Sequence, residues 1–367
     1  KLSGVWIMAY TNIDDPSAYF QTTTYTGNGA NTEVTNSGNS DLKPDFLWIK
    51  NRTAAYGHFV VDSNRNISYA QNSSNAPYLE TESTAAENNN QNWMASVNTN
   101  GFTTGISEHI NNNSGSAFVA WQWKANGGTT ASNTDGTITS TVQFNSDAGF
   151  SIQTFTSASS GNSNWGHGLG VTPDVFIVKR RDGTSSWWGH WKGTSRTAGS
   201  GNNWQYMPLN STAAATSLST FKADSTTITT ANDFVPNSAS MLCYAFAEKQ
   251  GYSKFSSYVG NGNANGPFIY TGFKPAFILC KNATTAGDNW EIRDNKRNDF
   301  NPQGKALYSN LSAAEYNATA IATDSLSNGF KVRATDHGLN ESGQTYIYMA
   351  FAENPFVTST GIPATAR

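Results

Sequence analysis

Charge is scarce in this chain: Asp, Glu, Lys and Arg together make up 13% of 367 residues, about half the usual share, with a net charge of −3. No Lys/Arg run exists, so the electrostatic footprint of a nucleic-acid binder is missing. Only two cysteines are present, Cys243 and Cys280, with no CxxC and no Cys/His cluster at metal-ligand spacing. That excludes a disulfide framework and gives no zinc site; no cofactor or metal is expected. Each cysteine sits in an apolar run (Met241–Tyr244, Phe277–Cys280), where a thiol acts as a small buried hydrophobe. No stretch approaches 18 apolar residues, and Lys1–Ile7 is too short for a signal-peptide core, so no membrane partner is expected. Amphipathic helix patterns are missing too, beyond a turn or two near Ser83–Asn88 and Ser312–Tyr316.

Aromatic side chains are plentiful, with 11 Trp, 15 Tyr and 20 Phe, and they recur in order. A proline followed by an apolar run ending in lysine occurs three times, at Pro44–Lys50, Pro173–Lys179 and Pro275–Lys281. Tyr25, Phe155 and Tyr258 precede these prolines by 19 (44−25), 18 (173−155) and 17 (275−258) residues. Ser/Thr-Ala-Ala follows at Thr84–Ala86, Thr212–Ala214 and Ser312–Ala314. Each copy then closes on an aromatic strand, at Val119–Trp123, Leu242–Phe246 and Ile347–Phe351. Asn100-Gly101-Phe102 and Asn328-Gly329-Phe330 match, whereas the middle copy has only Asn232-Asp233-Phe234 and is expected to have lost part of a hairpin.

Short runs of Val, Ile, Phe, Trp and Tyr between Gly/Asn/Ser/Thr turns predict antiparallel strands. The expected fold is all-β: three tandem, diverged antiparallel β-sandwich units of jelly-roll or concanavalin-like type. The expected boundaries are an N-terminal arm at 1–18, units at 19–124, 138–251 and 252–356, a flexible Gly/Thr/Ser linker at 125–137 and a tail at 357–367. Units two and three abut and are expected to move as one block.

Chemistry is harder to find. His58, His109, His167, His190 and His337 stand in no GxSxG or HExxH setting. His58 and His190 share a Gly-His-aromatic context where the third copy reads Trp290-Glu291-Ile292. Asp62…Arg65 and Asp294…Arg297 read as ion-paired polar turns. Trp187, Trp188, His190 and Trp191 form the one candidate contact site, because three tryptophans within five residues of an alternating strand cannot all face inward.

Tyr10–Gly29, the three proline-led strands, Tyr252–Phe255 running into Tyr258–Gly262, Gly266–Phe277 and Tyr346–Phe356 together resemble a repeat domain of virion-associated, tail-fibre-like proteins of tailed bacteriophages, many of them aquatic. The resemblance covers nearly the whole chain and is strongest after Lys249. It implies a non-enzymatic virion structural or display protein, a fibre or capsid-decoration subunit, at the virion surface. Its partners would be other virion proteins and further copies of itself, a trimer included. The alternatives are a lectin-like module contacting host surface glycans and, more remotely, a polysaccharide depolymerase, for which no carboxylate pair stands out.

Overall fold

The computed structural model describes residues 9–65, 67, 76–90, 93–107, 109–110, 113–194, 196–197, 203–217, 220–298 and 300–365. The protein is all-β, with antiparallel sheets throughout. In the first segment β1 (Phe20–Thr26), β2 (Phe46–Asn51), β3 (Phe59–Asp62) and β4 (Ala117–Trp123) form one sheet in the order β1-β4-β2-β3. In the second, β5 (Ser140–Asn145) lies outside β6 (Phe150–Thr156), and β7 (Val175–Arg180), β8 (Trp188–Trp191) and β9 (Ser240–Phe246) complete the order β5-β6-β9-β7-β8. In the third, β10 (Ser253–Val259), β11 (Phe273–Asn282), β12 (Glu291–Asp294) and β13 (Thr345–Pro355) run β10-β13-β11-β12. The same four-strand order thus occurs three times.

A smaller three-stranded sheet covers one face of each large sheet, and both faces of the large sheets are buried. Strands enclosed in this way need continuous apolar runs rather than alternation, which is why the proline-led strands read as they do. Leu47, Ile49, Phe118 and Ala120 face the small sheet around Phe102, while Phe46, Trp48, Trp121 and Trp123 turn the other way. There they join Phe150, Ile177 and Tyr244 of the second segment and Phe277, Leu279 and Met349 of the third in one central core. The three large sheets enclose that core together.

The expected Gly/Thr/Ser linker is not a free tether. Ala125 and Gly127 donate backbone N–H groups to Asp45 Oδ2 at 2.7 and 2.8 Å, Gly128 donates to Gln143 Oε1, and Ala131–Asn133 pairs with β5. The expected block of units two and three without unit one gives way to a shared interior. The described part of the arm is tied down as well: Tyr10 donates to Gly272 O, Thr11 to Gln250 O, and Asp14 accepts from Ser359 of the tail. Residues 1–8 lie outside the described ones. The middle hairpin is also intact, at Phe221–Ala223 and Thr227–Thr230, with Ile228 buried where the other copies bury Phe102 and Phe330. Pro275 does not open its strand; it sits inside β11 at a break in register, where its missing donor costs no ladder bond.

Because Phe20, Trp121 and Trp123 supply one side of the central core, a 138–356 fragment made alone should bind a hydrophobic dye and melt without a cooperative transition. A sharp calorimetric peak from that fragment would refute the shared core.

Candidate functional site

The tryptophan run is interior. Trp187 and Trp191 are each 1% exposed and belong to the central core, and His190 is fully buried with Nδ1 against Gln205 O at 2.9 Å. Trp188 alone keeps part of its ring accessible, packed on Tyr206 and Phe234. Trp188 and Trp191 do turn to opposite faces of the strand, but both faces are covered, so Trp191 is buried and Trp188 half-buried rather than outside.

These residues instead join the segments. The pairings Phe46 with Asp62, Val175 with Trp191 and Phe277 with Asp294 put His58, Trp187 and Trp290, four residues earlier in each case, at one equivalent position. Each bonds a main-chain carbonyl of another segment: His58 Nε2 faces Tyr308 O at 2.9 Å, Trp187 Nε1 donates to Glu80 O at 2.8 Å, and Trp290 Nε1 donates to Pro208 O at 3.1 Å. The connections run first to third, second to first and third to second, closing a ring. His58 therefore matches Trp187 rather than His190. A void of about 30 Å³ at the centre is lined from all three segments, by Trp48, Trp123, Ile177, Trp187, Leu279 and Met349 among others.

The polar turns belong to the same ring. Arg65 Nε donates to Asp62 Oδ2 at 2.6 Å and its Nη1 to Glu87, and Glu87 also receives Arg181 of the second segment. Asp62 Oδ2 accepts from Tyr244 as well. Between the third and first segments, Arg297 bonds Asp294 and Glu315, Glu315 receives Arg52, and Asp294 accepts from Trp121 Nε1. Burial alone would raise Glu87 and Glu315, but the arginines hold both below the ordinary value. At the junction of the second and third segments every member differs: Trp191 stands for the aspartate, Met349 for Tyr244 or Trp121, and Ala215 meets Ala283 where glutamate meets arginine. A half-satisfied buried network is worse than none, so the members change together.

Three lysines at one equivalent position, Lys50, Lys179 and Lys281, are fully buried. Their ammonium groups donate to carbonyls, at Asn51 and Ala54, Thr84 and Ser185, and Asn282. Burial lowers each from 10.5 to about 8.

His58 and His337 are both held by neighbouring groups. His58 accepts from Trp48 on Nδ1 and is pushed down to about 3 by burial and by the charge of Lys50. His337 lies between Asp288 and Glu341, one carboxylate on each ring nitrogen, which raises its pKa and leaves neither nitrogen free as a base. Among the described residues no group of three or more His, Cys, Asp or Glu is arranged to hold a metal, and no helix is long and apolar enough to cross a membrane. Both cysteines are buried and free, and burial raises both thiols, Cys280 to about 12.

Residues 15–355, most of the chain, match the family described as "Domain of unknown function (DUF7483)". The chain belongs to that family. No curated protein and no solved structure gives a significant match. Within this DUF7483 member, the outer faces of the small sheets offer the clearest difference between segments. In the third, Phe268, Lys331 and Asp324 form one cross-strand row and Tyr270, Gly329 and Leu326 the next, with Phe268 and Tyr270 about half exposed. The same places hold Glu33, Thr103, Ser96, Thr35, Gly101 and Asn98 in the first segment, and Asn164, Thr229 and Lys222 in the second. The fold does not require aromatic residues there. Sequence reasoning missed this pair because exposed and buried aromatics look alike in a strand-rich chain.

Proposed function

We propose that this protein is a non-enzymatic structural or display subunit of a tailed-phage virion, a fibre or capsid-decoration component on the particle's outer surface. The observation that carries the reading is the closed ring: the buried ionic and indole groups described above bond one segment to another, so the chemistry of the interior serves rigidity. A rigid, weakly charged, Asn/Ser/Thr-rich body suits repeated display on a particle, and the sequence resemblance points the same way. Its partners would be other virion proteins and further copies of itself. Mass spectrometry of gradient-purified particles should find the protein at a fixed ratio to the major capsid or tail protein. Recovery only in the lysate supernatant would end the proposal.

Contact with host surface glycans is a second reading, favoured by Phe268 and Tyr270, since exposed aromatic faces stack on sugar rings. It moves the contact away from Trp187, Trp188, His190 and Trp191. Glycan-array signal from the assembled protein should disappear in a Phe268→Ala/Tyr270→Ala variant that keeps its thermal midpoint; an unchanged signal would place any sugar contact elsewhere.

A further inference from the structure

Among the described residues β1 and β10 are the outermost strands of their sheets, whereas their counterpart β6 has β5 beyond it. β5 lies against the first segment: Gln143 Nε2 donates to Ser63 Oγ and Asn64 Oδ1, both at 2.8 Å, and Asn64 Nδ2 donates to Thr141 O. Ser63 and Asn64 follow Asp62 as Asn295 and Lys296 follow Asp294. The corresponding place beside β1, at the junction of the third and first segments, holds a cleft of about 190 Å³ among the described residues. Thr22, Asn39, Asn295, Lys296 and Asn354 are among its walls.

Two observations indicate that this cleft is built for an occupant. Thr22 and Asn295 both line the cleft and are each only 4% exposed, and among the described residues Thr22 Oγ1 and Asn295 Oδ1 have no hydrogen-bond partner. Such groups are costly to leave unpaired. Thr22 also occupies the position filled by Ile152 and Phe255 in the other segments, as its pairing with Trp121 matches theirs with Tyr244 and Met349. Both of those are apolar and join the central core, so a hydroxyl here is not a demand of the fold.

We propose that the open edge of β1 is a strand-addition site that takes an extended segment of another protein, with a Gln or Asn side chain directed into the cleft. The incoming amide nitrogen donates to Asn295 Oδ1, as Gln143 donates to Ser63 Oγ, and its amide oxygen accepts from the Thr22 hydroxyl. The incoming main chain pairs with β1, so affinity comes from the ladder and selectivity from the amide. The site stands independently of the display reading.

The full chain is titrated with a labelled peptide of sequence Ile-Thr-Ser-Thr-Val-Gln-Phe-Asn, the sequence of residues 138–145, and hydrogen exchange is followed. Binding should slow exchange at amides of Phe20–Thr26, and replacing the peptide's Gln by Leu should weaken it at least about tenfold. Thr22→Ile, which installs the side chain of Ile152, should abolish binding while keeping or raising the thermal midpoint. No binding by the peptide, equal binding by Thr22→Ile, or protection at β10 instead of β1 would each overturn the proposal. Displacement of the peptide by a methyl pyranoside that protects the same residues would overturn it in favour of a sugar.

Discussion

Arg65→Met should lower stability by about 3–5 kcal/mol in denaturant unfolding, because it strands the Asp62 carboxylate in a site with no access to water. Among the described residues Asp62 would retain only Tyr244 Oη and the main-chain N–H of residue 65 as donors, and Glu87 would keep Arg181. The complementary variant Asp62→Leu/Arg65→Met/Tyr244→Phe removes the charge together with its partners. It should recover most of the loss, to within about 1–2 kcal/mol of the parent, since a buried ion pair replaced whole by apolar groups is often neutral. The second–third junction, with Trp191, Met349, Ala215 and Ala283, is the natural form of that replacement. If the triple variant is as unstable as Arg65→Met, the network is required for packing and not merely for neutralising itself.

Stability should rise as pH is raised from about 8 towards 10. A lysine with a folded pKa near 8 binds fewer protons folded than unfolded up to its ordinary value of 10.5. The unfolded state then holds the extra proton, so raising pH through that window favours folding. Each of Lys50, Lys179 and Lys281 should contribute on the order of 1–3 kcal/mol to the rise. Burial holds the phenols of Tyr25, Tyr244, Tyr252 and Tyr258 well above 10.0, so their contribution is present below pH 10 and lost above it. The thermal midpoint should therefore peak near pH 10. A triple Lys→Met variant should lose the rise between pH 8 and 10; a parent midpoint that is flat or falls across that range would show the ammonium groups to be well solvated or well paired.

Fold class was legible because strand periods and turn residues are local signals: Pro44 and Pro173, the closing aromatic strands and the Asp…Arg turns lie where their spacing indicated, and only Pro275 falls inside its strand. The relation between the segments was not legible. Nothing in Ala125–Gly136 reveals that Asp45 collects two of its amides, and a Gly/Thr/Ser composition describes a pinned loop as well as a free one. Trp187 and Trp191 looked surplus to a two-layer sandwich because the third buried layer, at the centre, is made of residues far apart in the chain, 107 positions for Trp187 and Glu80 and 82 for Trp290 and Pro208. Only once the pairing register is known do Ala215 and Ala283 read as the apolar form of Glu87 and Arg181.

The ring also sets the order in which the chain can finish folding. His58 waits for Tyr308, 250 residues later, and Arg52 for Glu315, 263 residues later. Loop closure over such distances is slow, and the central aromatic faces of the first two segments stay uncovered until the last third of the chain has left the ribosome. Nascent chains halted between the second and third segments should be held by chaperones or aggregate, and release of the complete chain, rather than synthesis of any one segment, should be the step that makes the protein soluble.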